Sequence, residues 1–101
     1  MQGRDPMDTS EFTRLAEILK VLGHPTRLCI VCNILRNNGC NVTYMQNCLS
    51  LPQSTVSQHI AKLKAANIIL GERKGLEINY KVINEDAITI IRSLCNKNSN
   101  D

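Results

Sequence analysis

A chain of 101 residues has room for one small domain, and its 43% apolar content supplies a core that must be aliphatic, because only Phe12, Tyr44 and Tyr80 are aromatic. The formal net charge of +3 is mildly basic and suits a polyanionic partner without demanding one, so the placement of the cations matters more than their sum. No apolar run approaches the roughly 18 residues of a membrane span and no secretory signal is present, so a cytoplasmic location is expected and the five cysteines read as reduced thiols.

Residues 1–8 are polar, contain Pro6 and a second methionine, and read as a disordered tail or a remnant of expression. The folded domain is expected over 9–96, with 97–101 a flexible C-terminus. From 9 to 22, Phe12, Leu15, Ile18, Leu19 and Leu22 form a helical stripe that Gly23 and His24-Pro25 end. Pro25 suits the first turn of a second helix reaching about residue 37, with Leu28, Val31, Ile34 and Leu35 on its apolar side. After a Gly-Asn turn, Thr43 with Gln46 reads as the capping box of a short helix ending near 49. Ser50 with Gln53 reads as another, opening a helix in which Val56, Ile60 and Leu63 recur at three- and four-residue spacing and which Asn67 ends in a left-handed cap. Two such helices joined by a loop of a few residues make a helix-turn-helix.

The second helix of that pair carries Gln53, Ser54, Thr55, Ser57, Gln58 and His59, followed by Lys62 and Lys64. Short donors and acceptors followed by cations are the chemistry needed for base edges and phosphates in a major groove; a merely solvated face is the bland counterpart. Past residue 67 the period becomes extended, and 68–72 with 77–83 flank Arg73-Lys74-Gly75-Leu76, a hairpin whose two cations are expected to reach phosphate. Asn84 then caps a last helix with Glu85 and Asp86 in its first turn. Its Ala87, Ile88, Ile90, Ile91 and Leu94 are spread too widely for one face. The expected fold is mainly α with a small β-hairpin: a winged helix-turn-helix of five helices plus a two-stranded wing, forming a homodimer through its first and last helices, with Phe12, Leu15, Ile88, Ile91 and Leu94 across the twofold axis.

This order of elements, with the segments Leu22-Gly-His-Pro-Thr-Arg-Leu28 and Leu51-Pro-Gln-Ser-Thr-Val-Ser-Gln-His-Ile-Ala-Lys-Leu63, resembles the ArsR/SmtB family of winged-helix repressors over roughly residues 10 to 95. The resemblance implies a dimeric repressor on a double-stranded DNA operator, an imperfect palindrome, that lets go when an inducer binds or oxidises it. Arsenic- and cadmium-type members carry Cys-x-Cys at the start of the third helix, where this chain has Asn41 and Thr43. Zinc-, cobalt- and nickel-type members place carboxylates and histidines on the last helix, whereas the histidines here are His24, read as a surface or loop residue, and His59, read as a groove or backbone contact. No cofactor is therefore expected, and a soft metal or arsenite held by Cys29 and Cys32 is kept as the second reading.

The resemblance is greater to the sulfide- and redox-responsive branch typified by BigR, SqrR and HlyU. That branch implies one switch thiol in the pattern Arg27-Leu-Cys-Ile-Val-Cys32 and another at Cys95, brought together by neighbouring helices and bridged by sulfur under persulfide or oxidant. Cys40 and Cys48 match apolar family positions and are expected to be inert. Catalysis is not expected. Cys29-Ile-Val-Cys32 has the spacing of disulfide oxidoreductases, but lies inside a helix and not at the start of one that follows a strand. A winged helix used only for protein contacts is the remaining reading of a different class.

Overall fold

A computed structural model describes residues 9–99, so the expectations for 1–8 and for 100–101 lie outside the described residues. The element order is α1 (Thr9–Leu22), α2 (Pro25–Arg36), α3 (Val42–Leu49), α4 (Gln53–Ala65), β1 (Ile69–Lys74), β2 (Glu77–Val82) and α5 (Glu85–Ser99). Five helices and one antiparallel hairpin make a winged helix-turn-helix with α3 and α4 as the helix pair and β1–β2 as the wing. The last helix runs through Ser99, past the boundary expected at 96.

The apolar periodicity settles each helix on a common core. Ile18 and Leu22 of α1, Ile30, Val31 and Ile34 of α2, Met45 of α3, and Val56, Ile60 and Leu63 of α4 are all buried, joined by Ile68, Ile69 and Tyr80 at the wing base and by Ala87 and Ile91 of α5. At three- and four-residue spacing these side chains fall on one side of each helix. Ile91 corrects an expectation: at 1% exposure it belongs to the protomer's own core and is not available to a partner. The width of the α5 stripe in sequence does not say which half faces inward.

Both expected capping boxes are replaced by other caps. The N-cap of α3 is Asn41, whose Oδ1 accepts from the Tyr44 N–H at 2.8 Å, while Thr43 lies inside the helix. Ser50 sits in the left-handed region at φ 57° and closes the end of α3 with its N–H donating to the Gln46 carbonyl, so it cannot also take the extended conformation of an N-cap. Pro52 occupies that place and leaves α4 without a side-chain cap. Asn67 is the left-handed residue after α4, at φ 59°. Ile68 N–H to Leu63 and Asn67 N–H to Lys64 complete a Schellman closure. Asn38 ends α2 in the same way, at φ 56° with Gly39 N–H to Ile34.

The wing pairs Ile69 with Val82 through Lys74 with Glu77, closed by the two residues Gly75 and Leu76. Gly75 has φ 66°, the positive value that the first position of such a turn requires. At Gly71 a Cβ would lie 2.8 Å from Ile78 Cγ2 and 2.9 Å from Tyr80 Cε1, so the glycine lets the Tyr80 ring lie flat across the strand. Cys40 forms a single bridge to Tyr80, exchanging both backbone hydrogen bonds at 3.2 and 2.8 Å and fastening the start of α3 to the wing.

Candidate nucleic-acid interface and thiol pair

Because α4 buries Val56, Ile60 and Leu63, its opposite side is a continuous exposed stripe containing Gln53, Ser54, Ser57, Gln58 and Lys62. Lys64 is also exposed, in the last turn. Thr55 and His59 do not belong to that stripe; both are half-buried at its margin. Arg73 and Lys74 are exposed, and lie at the distal end of β1 beside the tip residue Leu76. The start of α3 is tied to the wing: Asn41, the α3 cap, donates from Nδ2 to Glu77 Oε1 at the start of β2 over 2.8 Å.

His59 turns toward α2. Its Nδ1 lies 3.2 Å from Arg27 Nη1, and since a guanidinium has no acceptor, Nδ1 must be the unprotonated nitrogen. The Arg27 Nε–H donates to the Val21 carbonyl at 2.6 Å, fixing the guanidinium. His24 is the N-cap of α2, accepting the Thr26 N–H on Nδ1 at 3.1 Å, and its ring centroid lies 4.6 Å from that of His59. Burial, His24, Arg27 and Lys62, in that order, lower the His59 pKa. The loop reading of His24 is thus corrected to a helix cap, and the structure turns His59 from the exposed stripe into a joint between α2 and α4. Sequence reasoning missed Arg27 as the hinge of this joint, although it stands in the quoted Pro-Thr-Arg segment.

The five thiols separate by environment. Cys32 and Cys95 are half-buried against the same core, on the packed helices α2 and α5, and the two thiols interact electrostatically. Burial, reinforced by Cys95, pushes the Cys32 thiol up to about 11 against a smaller opposing pull from Arg36. Cys40 is buried and also pushed up to about 11, by burial and then by Cys48. Cys48 is exposed and interacts with the Tyr44 hydroxyl, raising the tyrosine's pKa. Cys29 is exposed, its Sγ 3.3 Å from Asn33 Nδ2, and faces away from the core on which Cys32 rests. Among the described residues no group of three histidine, cysteine or carboxylate side chains is placed to hold a metal. No single described helix is long and apolar enough to cross a membrane.

An amphipathic helix presented beside a cationic hairpin defines the class: a winged helix-turn-helix DNA-binding domain. Residues 24–69 match the model of the bacterial regulatory protein arsR family. The transcriptional repressor PagR of Bacillus anthracis is 43% identical over 78% of this chain and 79% of its own length. Its crystal structure superposes with a TM-score of 0.79 over 86% of this chain and 99% of that one, at 39% identity. The repressor SmtB of Mycobacterium tuberculosis is 36% identical over 74% of this chain, which spans 55% of the SmtB length. Reduced HlyU from Vibrio cholerae superposes with a TM-score of 0.80 at 25% identity, covering 84% of this chain and 88% of that one. The chain belongs to the ArsR family and is an ArsR-type transcriptional repressor, a DNA-binding regulator and not an enzyme.

Proposed function

We propose that this chain is a cytoplasmic homodimeric repressor that reads an imperfectly palindromic operator with α4 and loses it when sulfur chemistry bridges Cys32 and Cys95. The observation that carries the switch is the meeting of these two thiols from α2 and α5. A persulfide inducer transfers sulfane sulfur to one thiol. The other, as thiolate, attacks the cysteine-bound sulfur, hydrosulfide leaves and the S–S bond forms. With peroxide the first product is a sulfenic acid and water leaves instead. Burial favours the protonated Cys32 thiol at neutral pH, so attack by Cys32 accelerates as pH rises.

A bridge ties α5 to α2, and α5 is also an element of the proposed dimer interface. The spacing of the two recognition helices then shifts, and a coupling of about 1–3 kcal/mol suffices for a 5- to 150-fold loss of affinity. Gln53, Ser54, Thr55, Ser57, Gln58 and His59 are the base-side set and Lys62, Lys64, Arg73 and Lys74 the phosphate set; the placement of Thr55 and His59 at the margin limits them to the edge of the groove. Cys29 is exposed and turned to Asn33 while Cys32 rests on the core, and no group of three metal-ligating side chains is placed together among the described residues, which leaves the bridge the better supported reading.

Cys95→Ser should bind operator like the parent and fail to respond to persulfide or peroxide, whereas Cys40→Ser and Cys48→Ser should respond as the parent does. Electrophoretic shift with the DNA upstream of the chain's own gene reads this, and mass spectrometry reads the linked peptides. Oxidative release from the Cys32→Ser, Cys95→Ser double variant would overturn the pair. No shift at all by the reduced parent would favour a winged helix used for protein contacts.

A further inference from the structure

Between α1, α2 and α4 lies an open cleft of about 340 Å³ lined by Lys20, Arg27 and Lys62 together with Val21, Ala65 and Glu17. Three cations share one concavity with one carboxylate. Both ion pairs among the described residues belong to Arg14, so the half-buried Arg27 has no carboxylate partner there; it is held by a carbonyl and an imidazole, both neutral acceptors. Lys20 and Lys62 are exposed and have no hydrogen-bond or ion-pair partner among the described residues. A guanidinium fixed at two of its nitrogens keeps free donors in a set direction, and two flexible ammonium groups can close on the same point. That is a donor set for a tetrahedral oxyanion.

The cleft is continuous with the exposed stripe of α4, since Lys62 belongs to both. We propose that it seats a phosphate of the DNA backbone flanking the base pairs that α4 reads, with Arg27 as the fixed donor and Lys20 and Lys62 as mobile cations; this rests on the DNA reading above. Lys20 of α1 and Arg27 of α2 thereby join an interface that otherwise consists of α4 and the wing.

The test measures binding of the full chain to an operator duplex and to a random duplex by fluorescence anisotropy over about 50–200 mM salt. Lys20→Ala is exposed and leaves the core untouched. It should weaken both duplexes by the same several-fold factor at low salt and make the salt slope shallower by about one unit, while Lys20→Arg retains the parental slope. A parental slope in Lys20→Ala, beside a reduced one in Lys62→Ala, would overturn the cleft as a DNA site and leave Lys62 acting alone. Inorganic phosphate, titrated at constant ionic strength, supplies the second arm: saturable amide shifts at Lys20, Arg27 and Lys62 that DNA does not reproduce would make this a free-anion site and overturn the proposal. If the parent bound neither duplex, the DNA reading itself would fail, a result distinct from parental binding that Lys20→Ala leaves unaltered.

Discussion

Gln58 and His59 are neighbours on α4 with opposite surroundings. Gln58 is exposed on the stripe, so its amide is free to pair with an adenine edge; Gln58→Ala should lose about 1–3 kcal/mol on operator DNA and little on random DNA. Equal losses on both duplexes would remove its base-reading role. His59 is held neutral against Arg27, and its pKa in the fold lies below the ordinary 6.5. The unfolded chain therefore binds a proton first as the pH falls, and the stability this group contributes is complete above about 6.5 and lost as the pH drops through that value toward the lower folded pKa. Thermal melts from pH 8 to pH 5 should show a steeper acid loss for the parent than for His59→Gln, which keeps an acceptor for Arg27 but cannot titrate. Parallel curves would show that the imidazole carries no such load.

At the scale of elements, Asn41 does two things at once: its Oδ1 caps α3 and its Nδ2 holds Glu77 beside the tip of the wing. Asn41→Ala should cost about 0.5–2 kcal/mol of stability through the lost cap. Asn41→Asp keeps an acceptor but repels Glu77, so it should hold stability better in chemical denaturation than it holds DNA affinity; equal losses of both would place the wing outside the coupling. The stripes of α1, α2 and α4, the hairpin with Gly75 near its tip and the left-handed Asn67 were legible because period and turn chemistry are local, although β1 runs two residues further, to Lys74, than its sequence pattern indicated. Asn84 caps α5 as its sequence position indicated, accepting the Ala87 N–H at 3.0 Å, but the N-caps of α3 and α4 were not legible. Thr43, Asn41 and Ser50 are all good cap formers, and the choice among them depends on backbone conformation imposed by the Cys40 bridge to Tyr80, a long-range pairing. For the same reason His59 could be placed on a helix but not on a face, since its orientation is fixed by Arg27, distant in sequence. The approach of Cys32 to Cys95 came from family resemblance; nothing in the spacing of two residues on different helices announces it.

For the whole molecule the unsettled surface is apolar. α1 has two stripes: Ile18 and Leu22 enter the core, while Phe12 at 54% and Leu19 at 53% exposure stand outside it, joined by Leu94 of α5 at 54%. α1 and α5 pack on each other within the protomer, so these side chains lie on adjoining helices, and dimerisation is typical of the family. With Ile91 inside the core, the test of assembly must fall on the outer stripe. Leu19→Asp changes an exposed side chain and spares Ile18 and Leu22, so the fold should persist by circular dichroism while sedimentation shows half the parental mass. Two half-sites about one helical turn apart are each bound weakly by one protomer, and linking the protomers makes the second contact intramolecular. The monomer should therefore lose specific operator binding although α4 and Arg27 are intact, and it should retain the weak, salt-sensitive binding to random DNA that single protomers supply. A Leu19→Asp protein that remained dimeric and operator-competent would move the interface off α1 and, with it, the route by which a Cys32–Cys95 bridge reaches the recognition helices.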